Sequence, residues 1–370
     1  MKMINLSIIL EDIRLGGPQK QLIYFLNKID TKKFNIILII PKKNNLLFKR
    51  NISNLKVKII ETDISIPSKN NFFSYSFLFF KQCRNLKEII KKNNTNLLYV
   101  ACGSISIKAI VVSKILKIKT IWHIHDCKSN FFIKKFFQIT AHKNIRTVFA
   151  SEKSREYYLK KSDKHSYVLR SSVNTIQLNK KLRKIKNKLK VGLVANINPD
   201  KNIDLFFEIV KKNNNPNVTF YLFGNVWKTQ QNYFKSLMKK YPNILSKFYW
   251  YKNEFNNSKI FNKIDLLICT SKTESFPLSF SEALSFSIPI ISTNVGDVDI
   301  FNKSENKFSY ILDKSVSTEF LKKIDFFLRN RKKFENFRKN SRLYAIKNLE
   351  IEIFIRKITI FFQKFLNEKI

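Results

Sequence analysis

Residues 264–293 read IDLLICTSKTESFPLSFSEALSFSIPIIST. The stretch opens and closes on apolar runs, and between them Pro277 suits the first turn of a helix. Strand, helix, strand is the pattern, and neither apolar run alternates with polar residues. Continuous Val/Ile/Leu strands joined by helices predict a parallel sheet covered on both faces. Between the two apolar runs stand two carboxylates, Glu274 and Glu282. Burying an unpaired charge costs several kcal/mol or more, so each needs a reason to be there.

Glu274 falls at the carboxyl end of the first strand, just ahead of the helix. Glu282 lies about five residues into that helix, roughly 7–8 Å further along its axis. Between them the amides of Ser275, Phe276 and Leu278 point out of a helix N-terminus, which favours an anion. A carboxylate, an amide nest and a second carboxylate match a ligand built of sugar, diphosphate and ribose, since carboxylates accept hydrogen bonds from vicinal hydroxyls. The plainer reading is a capping glutamate followed by a solvated helix glutamate.

The same alternation extends in both directions. Strands are expected at 4–10, 34–40, 56–61, 96–101, 119–125 and 147–151, with helices at 16–29, about 74–92 and around 104–117. The run LNKKLRKIKNKLK (178–190) is basic without a single acid and is expected to mark the domain boundary. Beyond it, strands are expected at KVGLVAN, VTFYLFG, SKFYWY, IDLLICTS and IPIIST, with helices between them and a helical last fifty residues. The chain therefore reads as two doubly wound α/β domains in tandem, with ligands beyond the carboxyl ends of the strands and the cleft between the domains as the natural site. The expected limits are 1–175, 176–345 and a C-terminal helix, 346–370, that crosses back to the first domain.

With 370 residues and 44% hydrophobic content, each domain can bury a core. The first apolar run meets Glu11 and Asp12 too soon for a signal peptide, and no window approaches about 18 uncharged apolar residues. Cys83, Cys102, Cys127 and Cys269 show no CxxC spacing, so reduced thiols and a cytoplasmic chain are expected. Lys and Arg number 69 against 27 Asp and Glu, a net charge of +42. A surface so basic attracts phosphorylated ligands, nucleic acid or anionic membrane, although codon bias toward Lys, Asn, Ile and Phe accounts for it equally well. No recognised nucleic-acid motif accompanies the charge, and nucleic acid is not expected as a partner. FFIKKFFQITAHK (131–143) could lie on an anionic bilayer or pack as an ordinary amphipathic helix.

The block TESFPLSFSEALSFSIPIISTNVGD, with Glu-x7-Glu, resembles the signature of family-4 glycosyltransferases of the GT-B fold. LGGPQKQL (15–22), WHIHD (122–126), VLRSSVN (168–174) and VANINPDKNIDLF (194–206) resemble that family's Gly-Gly loop, acceptor-domain histidine strand, interdomain turn and phosphate-binding segment. The resemblance implies two Rossmann-like domains facing a central cleft. It also implies retaining, metal-independent transfer from a nucleotide-diphosphate sugar to a hydroxyl of a surface-glycan or lipid-linked acceptor, as in lipopolysaccharide or capsule synthesis. No cofactor is implied. Gly16 and Gly17 would approach the diphosphate and Lys201 would neutralise it. Glu274 would hold the sugar, with Ser275, Phe276, Pro277 and Leu278 at the phosphates, and Glu282 would hold the ribose. His125 would meet the sugar or assist proton transfer near the acceptor. His123 shares a strand face with His125, and HxH followed by Asp126 raises a metal-site reading, but only His142 and His165 remain as further histidines. Asp297-x-Asp299 is read as a glycine-turn feature rather than a metal-binding DxD.

Three departures stand out. Ala195 and Asn196 replace the usual Gly-Arg, SSVN replaces Asn-Gly-Val-Asp, and Ser275 replaces a glycine. Asn196 at a diphosphate position lacks the cation, so weaker donor binding or a replacement cation is expected. It also keeps a second reading open, an inactive relative acting as a membrane-associated scaffold.

Overall fold

The computed structural model describes residues 3–368 apart from 44, 55, 68–71, 102, 141–143, 160–162, 164, 176–187 and 303–306. The chain forms two compact units, Met1–Ser172 with Ile351–Ile370, and Val173–Glu350. The sequence-expected limits differ from these by a few residues. Most of the basic run 178–190 lies outside the described residues, as do Cys102 and His142.

The first unit is built on strands β1 (Ile4–Ile9), β2 (Phe34–Pro41), β3 (Val57–Thr62), β4 (Leu97–Val100), β5 (Lys119–Ile124), β6 (Ile145–Phe149) and β7 (Ser166–Val168). They lie in the order β3-β2-β1-β4-β5-β6-β7, and each adjacent pair is parallel. The connecting helices are α1 (Gly17–Lys28), α2 (Leu46–Arg50), α3 (Phe72–Lys92), α4 (Ile107–Leu116), α5 (Phe131–Thr140) and α6 (Glu152–Tyr158). Successive strand side chains point to opposite faces, and both faces are buried here. Ile36, Leu38 and Ile40 pack with Leu22, Phe25 and Leu26 of α1. Ile37 and Ile39, between them in sequence, pack in the layer of α3 to α6. This explains why the strands are apolar without alternation.

The second unit repeats the plan with β8 (Leu189–Val194), β9 (Val218–Phe223), β10 (Phe248–Tyr251), β11 (Leu266–Cys269), β12 (Ile290–Thr293) and β13 (Ser309–Leu312). The order is β10-β9-β8-β11-β12-β13, again all parallel. Its helices are α7 (Ile203–Lys212), α8 (Gln231–Lys240), α9 (Asn257–Phe261), α10 (Leu278–Ser285), α11 (Asp299–Asn302), α12 (Ser317–Arg329) and α13 (Arg331–Asn348). Leu266 and Ile268 face one core and Leu267 and Cys269 the other. Val173 N–H donates to Leu349 O at 2.9 Å, and Thr175 N–H to Glu350 Oε2 at 2.9 Å. The two ends of the unit are thereby tied together.

The last helix, α14 (Ile351–Asn367), belongs to the first unit. Its Phe354, Ile358, Phe362 and Phe365 complete the core on the α1 side. Phe362 meets Phe34 at 6.0 Å and Tyr99 at 5.6 Å between ring centroids. In each sheet the strand order reverses beside its first strand, between β1 and β4 and between β8 and β11. Ligands of doubly wound sheets bind outside the carboxyl ends of strands at that reversal.

Candidate functional site

The loops leaving β8 and β11 flank the reversal in the second sheet, and they carry Lys201 and Glu274. Asn198 opens a 3-10 turn over Pro199–Lys201, its Oδ1 accepting the Lys201 N–H at 3.0 Å. Lys201 O accepts the Thr270 hydroxyl at 2.9 Å, and Lys272 N–H donates to Asp200 O at 2.7 Å. A side-chain hydroxyl and a main-chain amide thus hold the two loops together. Across them the Lys201 ammonium pairs with Glu274 Oε1. Ser271 Oγ donates to the same oxygen at 2.7 Å. Burial opposes the Lys201 charge, but the Glu274 carboxylate outweighs it, so its pKa stands above the ordinary lysine value. This answers the cost of Glu274: partly buried, it is paired with a cation and a hydroxyl.

After Glu274 the chain runs through Ser275, Phe276 and Pro277 into α10, with Pro277 as the capping residue in extended conformation. Phe276 and Leu278 are buried and anchor the turn. The first amides of any helix have no intrahelical partner, and here they follow Glu274 directly. Glu282 lies in α10 with 2% of its surface exposed, and Asn257 of α9 donates to its Oε1 at 3.1 Å. It is therefore not a solvated helix residue, as the plainer reading had it.

Two glycines shape the surrounding loops. Gly296, at φ +55°, belongs to the turn after β12, where the Asp297 N–H donates to Ser275 O at 3.2 Å. A Cβ there would lie 1.8 Å from that carbonyl oxygen. Gly224, at φ +154°, would bring a Cβ within 2.0 Å of Ala195 O. Close backbone approach at both points requires glycine. The Asn196 side-chain Oδ1 accepts the Asn225 N–H at 3.0 Å, so this side chain ties the β8 loop to the β9 loop. The glycine turn read before Asp297 is the one at Gly296, while sequence reasoning missed Ser271, Asn198, Thr270 and Asn257, and Gly224 as a loop-shaping position. In a chain with only 6 glycines, glycines just past apolar runs were a usable signal; the hydroxyl and amide partners left none.

In the first unit Gly16 precedes α1 in an extended conformation, and its N–H donates to Gln19 Oε1 at 3.1 Å. A Cβ at Gly16 would press on that amide oxygen at 3.2 Å. Gly17 opens the helix. His125 follows β5, half-buried, its ring centroid 3.9 Å from that of His123. Burial pushes the His125 imidazole down to about 4, and burial, with His125 beside it, holds His123 well below the ordinary histidine value. Both rings are neutral at physiological pH. His123 Nδ1 meets the Tyr99 hydroxyl, while Asp126 accepts the Ser104 N–H at 3.0 Å and its hydroxyl at 2.6 Å. Asp126, which also accepts the Tyr158 hydroxyl of α6, therefore ties the loop after β5 to the turn after β4. Among the described residues no group of three or more His, Cys, Asp or Glu side chains could hold a metal ion, and no helix is long and apolar enough to cross a membrane. A second charged pair, unread in the sequence, is Glu11 and Lys108, both fully buried with Nζ 3.9 Å from Oε2.

No curated protein matches the chain by sequence. Solved structures match it by fold. A glycosyltransferase from Rickettsia africae superposes with a TM-score of 0.80 at 16% identity, covering 100% of both chains. Anabaena HepE, in complex with UDP and glucose, gives 0.77 at 14% identity over 97% of this chain and 99% of its own. TarM of S. aureus, in complex with fondaparinux, alpha-GlcNAc-glycerol and UDP, gives 0.76 at 12% identity over 99% and 100%. Residues 174–344 match the family Glycosyl transferases group 1, and the chain as a whole carries the GT-B fold of two Rossmann-like parallel sheets with helices.

Proposed function

We propose that the protein is a family-4 glycosyltransferase that moves a sugar, a hexose by the resemblance, from a nucleotide-diphosphate sugar to a hydroxyl of a surface-glycan or lipid-linked acceptor, with retention and without a protein-bound metal. The observation that carries the reading is the Lys201–Glu274 pair, held by two loops at the strand-order reversal and followed at once by the N-terminus of α10. Phosphate groups favour such a helix end because its amides and dipole face the ligand.

In this reading Lys201 and the amides of Ser275, Phe276 and Leu278 stabilise the charge that develops on the departing diphosphate. Glu274, oriented by Lys201 and Ser271, accepts hydrogen bonds from hydroxyls of the transferred sugar. Glu282, oriented by Asn257, does the same for the ribose. Gly16 and Gly17 give the α1 turn a bare backbone for the diphosphate. His125, neutral at working pH, offers a hydrogen bond to a sugar hydroxyl. Asn196 brings no cation, so Lys201 is the charged group assigned to the diphosphate.

UDP-sugars come first in the test because HepE and TarM structures of this fold hold UDP. Released nucleotide is measured over UDP-, GDP- and ADP-sugars, then with Glu282→Ala and Lys201→Ala. Glu282→Ala should raise KM for the donor, and Lys201→Ala should lower kcat by about a hundredfold or more, the scale of losing one preorganised charge-stabilising group. Wild-type kinetics in both variants would remove the assignment.

A further inference from the structure

Of the 35 phenylalanines in the chain, those exposed among the described residues all lie on two helices of the first unit. Phe73, Phe77 and Phe80 of α3 are 87%, 86% and 81% exposed, and Phe131 and Phe132 of α5 are 74% and 80% exposed. Single exposed apolar residues need no explanation, but a cluster of rings does. The α3 rings are spaced by four and three residues and so form one stripe. A different face of that helix sends Cys83, Leu86 and Ile90 into the core. In α5, Phe137 enters the same core while Phe131, Phe132 and Ile139 turn outward.

Helices α3, α4 and α5 link β3, β4, β5 and β6 in succession and pack on one face of the sheet. Their outward sides therefore form one side of the unit, with the exposed Ile115 of α4 between the two aromatic patches. The charges on these helices are positive with one exception. Glu88 is the sole acid in the three, and Arg84 binds it at 3.2 Å. Lys81, Lys87, Lys114 and Lys135 accompany the rings. A second copy of the chain would set like charges against each other. An anionic bilayer meets both demands, with phenyl rings entering the acyl boundary and ammonium groups at the lipid phosphates.

We propose that the outward faces of α3 and α5 dock the first unit on an anionic membrane surface. The proposal does not depend on the transfer chemistry. The full chain is sedimented with phosphatidylcholine vesicles and with vesicles in which phosphatidylglycerol replaces part of the lipid. Wild type should pellet with the anionic vesicles and only weakly with the neutral ones. Phe77→Ser with Phe80→Ser, and separately Phe131→Ser with Phe132→Ser, should keep the melting temperature, since these rings face solvent. Each pair should lower partitioning by at least about tenfold, and all four together by on the order of a hundredfold, from the apolar area withdrawn. Binding by the quadruple variant equal to wild type would mean charge alone and would overturn the docking surface. So would an absence of wild-type binding, or self-association of wild type in ultracentrifugation that the Phe changes abolish.

Discussion

At Gly296 a methyl group would meet the Ser275 carbonyl oxygen at 1.8 Å, in a left-handed backbone that L-residues avoid. Gly296→Ala must therefore move the loop that carries Glu274. The expected loss is about 1–3 kcal/mol of stability, together with weaker donor binding, read by denaturant titration and by KM. A stability loss with unchanged KM would separate this turn from the site. The buried Glu11 makes a prediction of a different kind. Desolvation pushes its carboxyl up to about 7, against the attraction of Lys108. Its folded pKa lies above the unfolded value, so folding favours the protonated form. Its contribution is thus present at acid pH and is lost as pH rises through about 7. The shift amounts to about 3 kcal/mol between about pH 4 and pH 8. Glu11→Gln should flatten that slope, seen as a wild-type-minus-variant difference in unfolding free energy that changes with pH. The histidines work in the opposite sense. The folded pKa of His125 is about 4, below the unfolded value, so its contribution holds above about 6.5 and is lost as pH falls toward 4. His125→Gln should reduce the acid sensitivity of the melting temperature over that interval.

Helix α14 leaves the second unit's last residue, Glu350, and completes the core of the first. Phe362 is fully buried against Phe25, Phe34 and Tyr99. Phe362→Ala should cost about 3–5 kcal/mol, the range for an aromatic ring lost from a packed core, measured by urea unfolding of the full chain. A cost under about 1 kcal/mol would mean the helix is only loosely docked. At this scale much of the fold could be read in advance. The apolar runs at 34–40, 218–224 and 288–293 name their strands because burial on both faces demands unbroken Ile, Leu, Val and Phe. The short pieces were not legible. β7 is three residues of half-buried Ser-Tyr-Val, β13 is four residues, Ser-Tyr-Ile-Leu, and α2 spans five residues. Such lengths carry no period to detect, and tertiary contacts alone decide them. The site shows the same division. Glu274, Lys201 and Glu282 stand out because charges in apolar surroundings need partners. That Lys201 is itself the partner of Glu274 depends on the adjacency of β8 and β11, which lie more than 70 residues apart in the chain. No local pattern encodes that.

The two units have separate cores, and the residues assigned to the nucleotide and diphosphate lie mainly in the second, so ligand binding should act on that unit's stability. A ligand that binds only the folded form stabilises it by RT ln(1 + [L]/Kd), about 2.7 kcal/mol at a hundredfold excess over Kd. The nucleoside diphosphate product should therefore raise the unfolding transition of the second unit. Hydrogen exchange followed by peptide mapping resolves this without needing separate melting transitions. Amides of β8, β11 and α10 should gain protection with ligand, while those of β5 and β6 stay near their unliganded rates. The paired control is Glu282→Ala, in which the gain should shrink in step with the lost affinity. The basic surface adds a second condition, because a net charge of +42 attracts any polyanion. Inorganic pyrophosphate at equal ionic strength separates the two effects: charge attraction alone would protect equally with pyrophosphate and with nucleotide. A site that reads ribose through Glu282 must show the larger protection with nucleotide. Equal protection, or protection confined to the first unit, would take the donor away from these residues.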